Sequence, residues 1–135
     1  MKLFAKRFGQ KNKNMLFNTQ NRNLIFALLF WILLGAITFL LLIEVKPVPQ
    51  TWPKDKLQHA LIFALLTYLG VKSFQKHILA MCLGLTIYGG LMELAQSRLT
   101  QTRTGSLGDW LADLAGIIFA IFAINRFEKL AKLKA

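Results

Sequence analysis

The sequence predicts an all-α fold, an integral membrane four-helix bundle with both termini in the cytoplasm. Its hydrophobic fraction of 55% and positive mean hydropathy of +0.45 exceed what a soluble domain of 135 residues can bury. One uncharged apolar run, residues 24–43, supplies the roughly 20 helical residues that a hydrocarbon core about 30 Å thick requires. The bilayer is therefore the expected solvent for most of the chain.

The first predicted span, residues 24–43, has the properties of an uncleaved signal anchor. It is longer than the roughly 7–15 apolar residues of a secretory signal, and no small-x-small cleavage pattern follows it. The basic arm before it, residues 1–23, contains six Lys and Arg residues and no acid. This composition is typical of either a disordered arm or a short amphipathic helix on an anionic leaflet.

Three further spans are predicted after a break caused by Pro47, Pro49 and Pro53. Residues 24–126 then form one four-span domain, and a basic tail over residues 127–135 closes the chain. The remaining elements are, in chain order, a loop over 44–53, a span from about residue 55 to a turn at 72–76, a span over 77–96, a polar loop over 97–106 and a span ending near residue 125.

The distribution of Lys and Arg predicts the orientation, because positively charged loops are translocated poorly. With the amino terminus inside, twelve of these residues fall on the cytoplasmic side and five on the other. A membrane surface thus explains the formal charge of +11, and no nucleic acid partner is predicted.

This topology gathers the polar residues of three spans at the extracytoplasmic end. Residues three or four positions apart share one face of a helix, so each span has one polar stripe that becomes apolar or small toward the membrane centre. We expect the stripes to face one another, because a lone acid at the bilayer centre costs about 2.5–3.5 kcal/mol. The candidate binding residues are Asp55, Lys56, His59, Glu93, Gln96, Arg103, Asp109 and Asp113.

Small residues are predicted to allow close helix packing beneath this polar layer. Ala112, Gly116 and Ala120 form a row with a small residue at every fourth position, and Ala80 with Gly84 forms another. Such rows let two helix backbones approach closely. The simplest assembly is a compact bundle with a polar cup at its outer end.

No metal and no cofactor are predicted. The chain has side chains of the types that bind divalent cations, namely His59, Glu93, Asp109 and Asp113. It has no paired-ligand spacing of the His-x3-His or Cys-x2-Cys kind, however. Ser106 and Cys82 have no adjacent base, so neither residue predicts nucleophilic catalysis.

Three sequence blocks agree in order and spacing with a known family. They are DKLQHALIFALL with Asp55, Lys56 and His59, ELAQ with Glu93 and Gln96, and the pattern Arg103-x5-Asp109-x3-Asp113-x2-Gly116. On these blocks, residues 54–123 resemble the VanZ-like family, small bacterial membrane proteins named for a member associated with teicoplanin resistance. The resemblance implies a multi-pass protein of the bacterial cytoplasmic (inner) membrane and supplies no reaction. The family usually has Asn in place of Asp113, so this carboxyl group is either protonated or paired with a cation.

Three functional hypotheses follow, and the question of catalysis stays open among them. In the leading one, the cup binds a polar or anionic head group of an envelope lipid or a lipid-linked cell-wall precursor. Arg103, Lys56 and a protonated His59 would then contact phosphate, while the acids orient these cations and bind sugar or amide groups. Such binding would affect susceptibility to glycopeptides. The oligomeric state is left open.

The two rival hypotheses use the same residues differently. In an enzyme acting on a lipid-linked substrate, His59 would be the general base, with Glu93 or Asp109 orienting it. In a structural protein, the polar layer would be a buried network that only fixes helix packing. Charged residues near helix ends also often extend to the interface, and Asp109 at a helix amino terminus favours the helix dipole.

Overall fold

A computed structural model of the chain describes residues 2–42, 52–99 and 106–134, and this part of the chain is all-α. The predicted fold class is confirmed at this level. The described part contains four helices, which are α1 (Lys2–Leu42), α2 (Trp52–Ser73), α3 (Ile78–Leu99) and α4 (Leu107–Leu133). Pro47 and Pro49 lie outside the described residues. Pro53 lies in the first turn of α2, where a proline is tolerated because its missing N–H would have no helical partner.

Two helices extend beyond the predicted spans by two turns or more, whereas α2 begins at Trp52 inside the predicted loop over 44–53 and α3 ends at Leu99 inside the predicted loop over 97–106. α1 runs through the basic arm into the apolar run without a break, so of the two alternatives for residues 2–23 the structure has a helix. α4 continues past residue 125 through the basic tail to Leu133. The tail sequence EKLAKL consists of strong helix formers without Gly or Pro, so the helix has no local reason to end where the apolar residues end.

Three of these helices are long and apolar enough to cross a membrane. The segments are Asn18–Leu40 in α1, Ile78–Leu99 in α3 and Leu107–Leu133 in α4. The predicted second span corresponds to α2, which has 22 residues but contains polar residues in its first two turns. The number of spans and their orientation therefore stay predictions.

α2 is the central helix of the bundle. It contacts each of the other three helices and packs most extensively against α4, whereas α1 and α4 make no close backbone contact within their described residues. The apolar core is formed around α2 by Phe30, Ile37, Phe63, Leu66, Leu69, Leu85 and Ile117. Large apolar side chains of α1, α3 and α4 cover the outside of the bundle, as a lipid environment favours.

One of the two predicted rows of small residues forms a close helix contact. Gly116 of α4 and Ala60 of α2 lie so close that a Cβ atom at Gly116 would overlap the Ala60 carbonyl group. The prediction for Ala80 and Gly84 is wrong, since a Cβ atom at Gly84 would meet nothing within 4 Å. Gly84 instead lines an apolar cavity of about 350 Å³ between α1 and α3. A small residue permits close approach only where another helix fills the space.

Candidate functional site

Polar side chains from three helices meet at the end of the bundle where α2 begins, α3 ends and α4 begins. The group that we call the polar cluster consists of Asp55, Lys56, His59, Glu93, Ser106, Asp109 and Asp113, all of them linked by the contacts described below. Glu93, Asp109 and Asp113 are buried, and the other four are half-buried. The predicted convergence of the three stripes is present in the structure.

Ser106 connects α3 to the first turn of α4. It is the N-cap residue, with its Oγ accepting a hydrogen bond from the Gly108 N–H at 3.2 Å. Its own backbone N–H donates to Glu93 Oε2 at 2.7 Å. In a capping box, that N–H would be bound by the acid three residues after the cap, which here is Asp109. Here Glu93 of α3 binds the Ser106 N–H instead of Asp109, and Asp109 binds Lys56.

Lys56 is the cation that Asp109 binds. The Lys56 ammonium group forms an ion pair with the Asp109 carboxylate, lies 3.5 Å from Ser106 Oγ and lies 3.9 Å from Asp55 Oδ2. A Cβ atom at Gly108 would stand 3.0 Å from Lys56 Cε, so the glycine leaves room for the lysine side chain. The contact joins the first turns of α2 and α4.

His59 and Asp113 form a second pair, one turn deeper in both helices. His59 Nδ1 lies 2.9 Å from Asp113 Oδ1. Asp113 is only 2% exposed, and its Oδ2 would stand 2.8 Å from a Cβ atom at Gly89, so the carboxylate occupies space that only a glycine leaves on α3. The imidazole fits both alternatives for Asp113, since a protonated His59 would be its cationic partner and a protonated Asp113 could donate to a neutral His59.

One potential metal-binding group occurs among the described residues. His59, Glu93 and Asp113 each offer a ligand atom, and these atoms all lie within 4.8 Å of one another. The three residues belong to three different helices, so no spacing within the sequence could identify them as a set. Asp109, the fourth residue of the predicted candidates, pairs with Lys56 instead.

Six of the eight candidate binding residues belong to the polar cluster, and the other two are Gln96 and Arg103. Gln96 is buried on the same face of α3 as Glu93, one turn further along. Arg103 lies outside the described residues.

Ser106 and Trp110 contribute to the site although neither was among the candidates. The pattern Ser106-x-x-Asp109 is a capping-box signature that identifies Ser106 as the N-cap residue of a helix. Trp110 Nε1 donates to the backbone carbonyl of Thr86 at 3.0 Å and fixes α4 against α3. We find no signal in the sequence that would have identified the Trp110 contact.

Comparisons with protein-family models, with curated proteins and with solved structures give no match to this chain. The resemblance to the VanZ-like family therefore stays a prediction. Any functional conclusion rests on the geometry of the polar cluster.

Proposed function

We propose that the protein spans the bacterial cytoplasmic membrane four times and that its polar cluster binds a lipid head group. The head group would be that of a polar or anionic envelope lipid or of a lipid-linked cell-wall precursor. The observation that supports this proposal is the gathering of six ionisable side chains from three helices at one end of an apolar bundle. Ionisable residues inside a membrane protein are costly and usually functional.

The proposed topology has both termini in the cytoplasm. α2 is the one described helix without a segment apolar enough to count as a membrane span by composition, because its first two turns are polar, yet these turns pack against α4 and contact its charged residues. A helix enclosed by its neighbours can cross the bilayer with polar residues, provided that they find partners. The excess of Lys and Arg on the side of the amino terminus supports an orientation in which the polar cluster lies at the extracytoplasmic face.

Lys56 is the proposed contact for the phosphate of the head group, together with Arg103. Its side chain is 20% exposed, and the Asp109 carboxylate holds its ammonium group in place. The remaining lone pairs of the acids would accept hydrogen bonds from sugar hydroxyl or amide groups. If the ligand is a cell-wall precursor, expression of the protein would change susceptibility to glycopeptides such as teicoplanin.

Native mass spectrometry of the gently solubilised protein tests lipid binding. The double variant Lys56→Met with Asp109→Asn removes both charges of the pair with little change of shape, so neither partner is left buried and unpaired. The matched control is Lys72→Met, which removes a lysine at the other end of α2.

We expect a defined lipid on the wild type and on the control. The double variant should retain about tenfold less, because a hydrogen bond to a charged group contributes about 1.5–3 kcal/mol. Equal lipid retention by the folded double variant would contradict the proposal, as would a wild-type protein that carries no lipid.

The contact between His59 and Asp113 favours a second candidate, a membrane enzyme acting on a lipid-linked substrate. A histidine oriented by a buried carboxylate is a common general base. The orienting residue would be Asp113, whereas the sequence pointed to Glu93 or Asp109. In this case His59→Gln should abolish turnover of a lipid-linked substrate while native mass spectra still show bound lipid.

A further inference from the structure

The residues His59, Glu93 and Asp113 lie at the centre of the polar cluster, one from each of α2, α3 and α4. We propose that they bind a single divalent transition-metal ion, Zn²⁺ or Mn²⁺. The site goes beyond the proposed function, because metal binding here requires no lipid.

The geometry needs little change to accept an ion. The three ligand atoms lie within 4.8 Å of one another, and His59 Nδ1 lies 2.9 Å from Asp113 Oδ1. Metal–ligand distances of about 2.0–2.2 Å are reached from this arrangement by small side-chain rotations. Glu93 already has one oxygen fixed by the Ser106 N–H at 2.7 Å, which orients its carboxylate. Such hydrogen bonds are typical of metal ligands.

The charges of the polar cluster also favour a bound cation. Within the described part of the chain, the Lys56 ammonium group is shared by Asp109 and Asp55, and Glu93 has no ion-pair partner. Among the described residues, one imidazole therefore faces two buried carboxyl groups, Glu93 and Asp113. Burying a carboxylate without a compensating charge is strongly unfavourable, and a divalent cation would balance both.

The packing around Asp113 is an independent feature in favour of a built site. Gly89 leaves the space that the Asp113 carboxylate fills, and a Cβ atom there would also stand 3.2 Å from the ring of Phe63. Phe63 is buried and shields this side of the site from solvent. The carboxylate is thus confined between α3 at Gly89 and the His59 imidazole, as suits a metal ligand.

The ligand types determine the class of metal. One imidazole with two carboxylates suits Zn²⁺ and Mn²⁺, whereas Ca²⁺ and Mg²⁺ prefer oxygen ligands alone. A bound ion would add positive charge for the phosphate of a head group, and this one consequence rests on the proposed function.

Titration of the purified full-length protein with Mn²⁺ tests the site. The protein is purified with a tag free of histidine, stripped with EDTA in detergent, and titrated while the electron paramagnetic resonance of free Mn²⁺ is recorded. We expect a single ion per chain, displaced by Zn²⁺ but not by equal Mg²⁺. Glu93→Gln and His59→Gln should each weaken binding roughly tenfold or more.

Matched controls separate this site from other residues of the same type. Glu128→Gln removes an exposed acid of α4, and His77→Gln removes the histidine at the turn before α3. Both controls should bind Mn²⁺ like the wild type. Absence of binding to the wild type, or binding that persists in Glu93→Gln and His59→Gln, would overturn the proposal.

Two further measurements keep the test decisive. Glu93→Gln retains an oxygen that accepts from the Ser106 N–H, so it should fold, and circular dichroism without metal checks this. If it does not fold, pulsed electron paramagnetic resonance of Mn²⁺ bound to His77→Gln decides, because this variant has His59 as its single histidine. Coupling of Mn²⁺ to ¹⁴N then identifies His59 as a ligand, and absence of this coupling refutes the site. Metal bound to protein that holds no lipid would support the metal site while contradicting the proposed lipid binding.

Discussion

The two ends of α2 each have a lysine that pairs with an acid of α4, but in different surroundings. At the beginning of α2, Lys56 is 20% exposed and its partner Asp109 is 10% exposed. At the end, Lys72 is 32% exposed and lies 3.7 Å from Glu128, which is 56% exposed. Exposed ion pairs contribute about 0–1 kcal/mol, whereas breaking a buried pair leaves a charge without compensation. Breaking the ion pair at the beginning of α2 should therefore cost more stability than breaking the pair at its end.

The hydrogen bonds at the two ends differ in the same way. At the turn between α2 and α3, they join residues close in sequence, such as Ser73 Oγ to the Leu69 carbonyl and the Phe74 N–H to the Gly70 carbonyl. In the polar cluster, they join residues of different helices, such as Glu93 and Ser106. The turn needs only its own segment to form. The polar cluster exists only when α2, α3 and α4 are assembled in the correct register.

Replacing each of the two lysines tests the difference between the two ends of α2 most directly. Lys56→Ala leaves Asp109 buried without its cation, so we expect a loss of about 3 kcal/mol in the free energy of unfolding. Lys72→Ala removes an exposed pair and should cost about 0.5 kcal/mol. Equilibrium unfolding in mixed detergent micelles, followed by circular dichroism, measures both. Equal losses would mean that burial does not distinguish the two ends.

The glycine contact between α2 and α4 gives the next largest effect. Gly116→Ala would force the backbones apart at Ala60, and overpacking of this kind costs about 1–3 kcal/mol. Gly84→Ala is the matched control, because its Cβ atom meets nothing and alanine favours a helix by about 1 kcal/mol. The same unfolding experiment should give a loss for the first variant and none for the second. A loss at Gly84 would show that α3 approaches another helix there.

Helical periodicity was sufficient to predict an inward-facing stripe on α3 and on α4. The stripes predicted for α3 and α4 are buried at Gly89, Glu93, Asp109, Asp113 and Gly116. This succeeds because burial follows from the spacing of polar and small residues within one helix.

The partners of these residues could not be predicted from spacing. The local pattern assigns Asp109 to the Ser106 N–H, but Glu93 binds it, since the register of α3 against α4 decides between the two acids. The same holds for Gly84, whose surroundings depend on where α1 lies. The extension of α4 was missed for a different reason, because hydropathy marks the apolar length of a helix and not its hydrogen-bonded length.

Thr67 of α2 tests how much a buried polar group depends on a hydrogen-bond partner. It lies between the two ends of α2 and is fully buried, and in the described part of the chain its Oγ1 makes no hydrogen bond. Thr67→Val keeps the shape and removes the unpaired hydroxyl, so we expect a gain of about 1 kcal/mol in the free energy of unfolding. Thr38→Val is the matched control, since Thr38 Oγ1 bonds to the Leu34 carbonyl and to Tyr88 Oη, each at 2.8 Å.

The control should lose about 1 kcal/mol, the contribution of an ordinary hydrogen bond. Changes of opposite sign in the free energy of unfolding would mean that a buried polar group stabilises this bundle only where it has a hydrogen-bond partner. The buried acids of the polar cluster would then depend on their partners in the same way. A loss at Thr67 would instead reveal a partner for its hydroxyl, such as a water molecule held between the helices, and the polar region of α2 would then extend beyond the polar cluster toward the middle of the bundle.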